Sequence, residues 1–156
     1  METYQAEVLV NERFHLSEGP VWDAETGVLH FVDIKGCTVN TYRLSDGQRT
    51  STEVNQNVGC FALRRQGGYI LGLTAGVYLR SEDGRRIEKL TEPVYDPMTR
   101  SNDGKCDPQG RFWCGTSDLV KGEKRGKLYL LPGDGRCIEM LDRLEISNGL
   151  GFAGDT

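Results

Sequence analysis

The chain has 156 residues, the length of one ordinary domain, with 37% hydrophobic residues, 27% charged residues and a net charge of -4. That balance supplies enough apolar side chains for a core, and it excludes the basic footprint that nucleic-acid binding requires. No run approaches the roughly 18 apolar residues of a membrane span, and the polar N-terminus is not that of a signal peptide. Five cysteines (Cys37, Cys60, Cys106, Cys114 and Cys137), an odd number with no CxxC spacing and no secretion signal, are expected to be reduced thiols of a cytoplasmic protein. With His15 and His30 as the two imidazoles, a structural zinc site is not expected.

In chain order, the segment from Glu18 to Asp23 leads into an apolar run over Val28–Asp33, and a further run from Thr38 ends at the turn Asp46-Gly47. Gly59–Leu63 then leads through Gly67-Gly68 into Tyr69–Leu73 and on to a run that ends at Asp83-Gly84. Asn102–Asp107 leads through the turn Asp107–Gly110 into Arg111–Gly115, then Lys127–Leu131, ending at Asp134-Gly135. The runs are short, rich in aromatic and β-branched residues, and bounded by turn formers, which predicts strands. No twelve-residue stretch holds a helical period with caps, so the chain reads as nearly all β.

One unit recurs through these elements. Its copies open at Glu18, Gly59 and Asn102, and a fourth opens at Asn148; the starts lie 41, 43 and 46 residues apart. That spacing is the repeat of a four-stranded propeller blade, about 40 to 50 residues, whereas a sandwich has no reason to repeat. The innermost strand of each blade lines the central channel, so residues at equivalent positions converge on the axis. Glu18, Asn102 and Asn148 share the opening position, giving one carboxylate and two amides aimed at one point. Oxygen donors of this kind suit cations such as Ca2+, Mg2+ or Mn2+. Taken singly, Glu18 also fits a solvated loop, and Asn102 and Asn148 fit turns.

Four segments carry a family resemblance: Glu18–Trp22, Arg100–Lys105, Asp107–Trp113 with Gly115-Thr116, and Ile146–Leu150. Together they resemble, in order and spacing, the signatures of the SMP-30/gluconolactonase (regucalcin-like) family, over essentially the whole chain. The resemblance implies a six-bladed β-propeller, of which residues 1–156 are a partial domain of about three and a half blades: roughly blades 1 to 3 and the start of blade 4. It also implies one divalent cation (Ca2+, Zn2+, Mg2+ or Mn2+) and hydrolysis of a small sugar-acid lactone. By motif match, Glu18 and Asn148 are the implied metal ligands, and Arg100 and Asn102 the implied substrate-binding residues. Asp103 is assigned a structural Asx-turn role.

The chain departs from the family pattern in two places. Ser117 stands where the family usually has Met, and the short charged loop Asp118–Arg125 is expected to alter the pocket rim. The family's remaining metal ligand, an Asp that is also the implied general base, is expected beyond Thr156, so little activity is expected of these residues alone. Open propeller edges invite self-association. The rival readings are a non-catalytic propeller binding module and a calcium-binding regulatory protein; an EF-hand at Asn102–Gly104 is excluded for want of alternating ligands and a terminal Glu. Cys106 and Cys114, on one hairpin, are expected to pack between blades, as are Trp22 and Trp113, placed in corresponding strand regions.

Overall fold

A computed structural model describes residues 3–91 and 96–153. The described residues form twelve strands and no helix, so none contains a helix long and apolar enough to cross a membrane. The first sheet holds β1 (Ser17–Asp23), β2 (Val28–Asp33), β3 (Thr38–Arg43) and β4 (Arg49–Glu53). The second holds β5 (Val58–Leu63), β6 (Tyr69–Leu73), β7 (Gly76–Arg80) and β8 (Ile87–Thr91), and the third β9 (Thr99–Cys106), β10 (Phe112–Asp118), β11 (Gly126–Leu131) and β12 (Ile138–Leu144). Each sheet is an antiparallel meander in chain order, and the first strands pack side by side, β1 against β5 and β5 against β9. The fold is the all-β propeller that the repeat predicts, present here as three consecutive four-stranded blades.

The outermost strands β4, β8 and β12 were the elements without an apolar signal. They are exposed along most of their length and carry charges such as Arg49, Glu88, Lys89, Glu139 and Asp142. An edge strand with little to bury has no alternation to read, and its charges discourage further pairing.

Two apolar layers join the sheets. Val32, Ile34, Val39, Val54, Val58, Phe61, Leu71 and Leu73 fill the space between the first and second. Cys60, Ala62, Val77, Phe112, Cys114, Tyr129 and Leu131 fill the space between the second and third. β5 contributes to both layers, which is why it reads as an unbroken apolar run.

Ladder register corrects one expectation. Glu18 pairs with Val32, Val58 with Leu73 and Ser101 with Thr116, each five residues before the end of its strand. A register shift follows in every case, between Glu18 and Val21, Val58 and Cys60, and Thr116 and Cys114 on the partner strand. By ladder position the counterpart of Glu18 is therefore Ser101, and Asn102 lies one step on, inside the bulge, where a strand can re-aim a side chain. Asn148 lies outside any strand.

The tryptophans are not counterparts either. Trp22 is on the first strand of its sheet and 50% exposed, and Trp113 is on the second strand of its own sheet. The thiols do pack between blades, but in a different pairing. Cys60 and Cys114 meet across the second layer with sulfurs 3.8 Å apart, while the ladder sets Cys106 opposite Phe112. All five cysteines are thiols, and the hydrogen bond to Cys114 together with burial pushes Cys60 up, so it stays protonated.

β5 and β9 approach so closely that a Cβ at Gly59 would lie 2.1 Å from the Ser101 carbonyl oxygen and 2.6 Å from the Asn102 nitrogen. Gly59→Ala is therefore expected to cost about 2 kcal/mol, as overpacking does. Urea unfolding should show a lower midpoint at unchanged slope; an unchanged midpoint would remove this contact from the account.

Candidate metal and substrate site

A cleft of about 310 Å³ lies where the first strands converge, lined by Glu18–Val21 of β1, Cys60 and Phe61 of β5, Asp103–Lys105 of β9, and Asn148–Leu150. A larger cleft of about 560 Å³ opens between the second and third sheets near Arg64, Ile70 and Phe112. It contains none of the four residues singled out in the sequence, whereas Glu18 and Asn148 line the smaller cleft.

Glu18 is set by the segment that feeds β1. The Asp33 carboxylate accepts the N–H groups of His15 (2.9 Å), Leu16 (2.8 Å) and Gly36 (3.0 Å), tying that segment to the end of β2. Burial works against the Asp33 charge, but the three donors outweigh it and hold the carboxyl below its ordinary range. Gly19 has a φ of 58° inside the bulge, a left-handed conformation that glycine takes without strain. The Glu18 side chain reaches the cleft with no hydrogen bond or ion pair to another described residue.

Arg100 and Asn102 do not line this cleft. Arg100 donates through Nη1 to the Ser101 carbonyl (2.8 Å) and to Asn102 Oδ1 (2.9 Å). Half-burial pushes its guanidinium down, and the charge of Glu18 pushes it back up, which places the two in one electrostatic neighbourhood. Asn102 Nδ2 donates to the Ser147 carbonyl (3.0 Å), so Asn102 holds the residue that precedes Asn148.

Asp103 is structural, although not as an Asx turn. One oxygen accepts the Gly104 N–H (2.8 Å) and the other the Leu150 N–H (2.9 Å), 47 residues away. Ser147 N–H donates to the Thr116 carbonyl (3.2 Å). Asn148 thus sits between two tethered neighbours, and its own side chain has no hydrogen-bond partner among the described residues. Sequence reasoning missed the tethers at Ser147 and Leu150, because nothing local marks a bond between segments so far apart.

The structure brings Glu18 and Asn148 to one cleft, and beside it a bonded Arg100–Asn102 pair. Glu18 and Asn148 are oxygen donors with open lone pairs, which fit a hard divalent cation in kind. They number two, against the about six to eight oxygens such a cation takes. No three His, Cys, Asp or Glu side chains converge on a metal position among the described residues. The charged loop does not shape this cleft. Asp118 accepts the N–H groups of Val120 (3.0 Å) and Arg125 (3.1 Å), folding the loop on itself, and none of its residues line the cleft. Ser117 is buried.

Residues 16–156 match the family described as SMP-30/Gluconolactonase/LRE-like region, and the chain belongs to that family. It is 36% identical to 6-deoxy-6-sulfogluconolactonase of Pseudomonas putida over 90% of this chain and 48% of that one. It is 34% identical to regucalcin of Xenopus laevis, over 99% of this chain and 54% of that one. Among solved structures it is similar to a luciferin-regenerating enzyme, with a TM-score of 0.80 at 30% identity, covering 87% of this chain and 48% of that one. The chain spans about half the length of the curated relatives it matches.

One site-flanking carboxylate carries a pH prediction. Asp107 accepts from the Gln109 N–H (3.1 Å), the Arg111 N–H (2.9 Å) and Nε (2.6 Å), and the Trp113 Nε1 (3.0 Å). Burial raises its pKa, but these bonds, that of Trp113 foremost, outweigh it and bring it from 3.8 to about 2. A depressed carboxylate contributes stability that is complete above 3.8 and is lost as the pH falls toward 2. Asp107→Asn should lower stability at neutral pH and flatten its decline between those limits, read by denaturation at a series of pH values. An acid limb as steep as that of the parent would contradict the assignment.

Proposed function

We propose that this chain supplies a metal-holding and substrate-orienting part of a site that hydrolyses sugar-acid lactones. The observation that carries the proposal is the cleft lined by Glu18 and Asn148, whose side-chain oxygens accept no hydrogen bond from another described residue. The Glu18 carboxylate and the Asn148 amide oxygen would hold the cation, and a bound divalent cation supplies Lewis-acid polarisation of the lactone carbonyl. Arg100 spends Nη1 on Ser101 and Asn102, leaving the Nε and Nη2 donors for ring hydroxyls. A guanidinium fixed by two bonds and half-buried loses little freedom on binding, which suits it to orient a polyhydroxylated ring. Family membership supports the reading, since the similar Pseudomonas putida protein is named a sulfogluconolactonase.

Two ligands predict weak metal binding by the 156-residue chain. The implied general base is not among the described residues of the cleft, which predicts little gluconolactone hydrolysis. Mn2+ titration followed by electron paramagnetic resonance should give a dissociation constant that rises at least about tenfold in Glu18→Gln and in Asn148→Ala. Equal affinity in parent and both variants would refute the metal assignment. Robust metal-dependent hydrolysis of gluconolactone by this chain would refute the assignment of the base.

A further inference from the structure

Asn148 lies outside any strand, yet the residues on either side of it are fixed. On one side Ser147 offers its carbonyl to Asn102 Nδ2 and its N–H to the Thr116 carbonyl. A Cβ at Gly115 would lie 2.1 Å from the Ser147 hydroxyl oxygen, so the absence of a side chain there lets the segment lie flat on the third sheet. On the other side Leu150 is held by a carboxylate, Asp103. Gly149 between them has a φ of 74°, turning the chain so that Asn148 faces the cleft.

We propose that Asp103 is a positioning residue: its carboxylate clamps the Leu150 N–H and thereby sets the Asn148 side chain opposite Glu18. The proposal rests on the metal-site reading for its functional consequence and on geometry alone for the clamp. Three features support it. Both Asp103 oxygens are engaged by backbone N–H donors, so the group is committed to holding backbone. A hydrogen bond from N–H to an ionised carboxylate is short and strong compared with a neutral one. Finally, Asp103 stands in the bulge beside Asn102, so neighbouring residues of one bulge grip both flanks of Asn148.

The isosteric variant Asp103→Asn breaks the clamp, because its amide retains one acceptor oxygen for two donors. Asp103→Glu keeps the charge and displaces it by one methylene. In the metal-free chain, both should accelerate amide exchange at Leu150 and shift the side-chain amide signal of Asn148 in NMR spectra. In both, Mn2+ affinity should fall by about 10- to 100-fold, the loss typical when the partner that orients a ligand is removed. The thermal unfolding midpoint should stay within a few degrees of the parent. An Asn148 signal that does not move overturns the proposal, whatever happens to the metal. A moved signal with unchanged Mn2+ affinity overturns its functional half, provided Glu18→Gln still weakens Mn2+. If Glu18→Gln also leaves affinity unchanged, the metal-site reading fails, and the Asn148 signal alone decides the clamp.

Discussion

The Ser101 hydroxyl is the contact on which the arrangement of this molecule turns. It donates to the Gly72 carbonyl at 2.5 Å and accepts the Gly59 N–H at 3.2 Å, so one fully buried side chain on β9 ties two strands of the neighbouring sheet. The bond forms because Gly59 has no side chain to keep β9 away, and because Gly72 leaves room for the paired sulfurs of Cys60 and Cys114 beside it. A buried hydroxyl with both functions satisfied pins the relative position of two blades more sharply than apolar packing, which tolerates sliding. Arg100 and Asn102 are its immediate neighbours in sequence. What fixes the blades therefore also fixes the residues beside the cleft.

Much of the architecture was legible because a propeller repeats its physics. The second strand of each sheet is largely buried, hairpins need glycine or Asp-Gly turns, and both signals recur at blade spacing. The outer strands were not legible, since Arg49–Glu53 or Ile138–Leu144 bury too little to show a pattern. Of the four residues singled out in the sequence, two line the cleft and two stand beside it. The motifs named Glu18 and Asn148, and the structure sets both on one cleft. Counting along the repeat made Glu18 and Asn102 equivalent, whereas the ladder gives Ser101, since strand pairing and not motif spacing sets the register. The grip of Asp103 on Leu150 spans 47 residues and belongs to tertiary structure alone.

A division of labour among polar side chains follows. Asp33 and Asp103 accept backbone N–H groups, Asp107 accepts backbone and side-chain N–H groups, and Asn102 and Ser101 donate to backbone carbonyls. These are the groups that hold loops where no ladder reaches. Glu18 and Asn148 are exempt from that duty, and Arg100 is only partly bound to it. A site that must bind something needs such unspent donors and acceptors, mounted on neighbours whose bonds are complete. That contrast, more than any single distance, sets the proposed site residues apart from the scaffold.

The central claim is that Glu18 and Asn148 share one cation. Anomalous diffraction from a crystal of this chain soaked in Mn2+ tests it directly. The account predicts a peak in the cleft within coordination distance, about 2.0 to 2.6 Å, of a Glu18 carboxylate oxygen and the Asn148 amide oxygen. A peak elsewhere on the molecule, with this cleft empty, would contradict it.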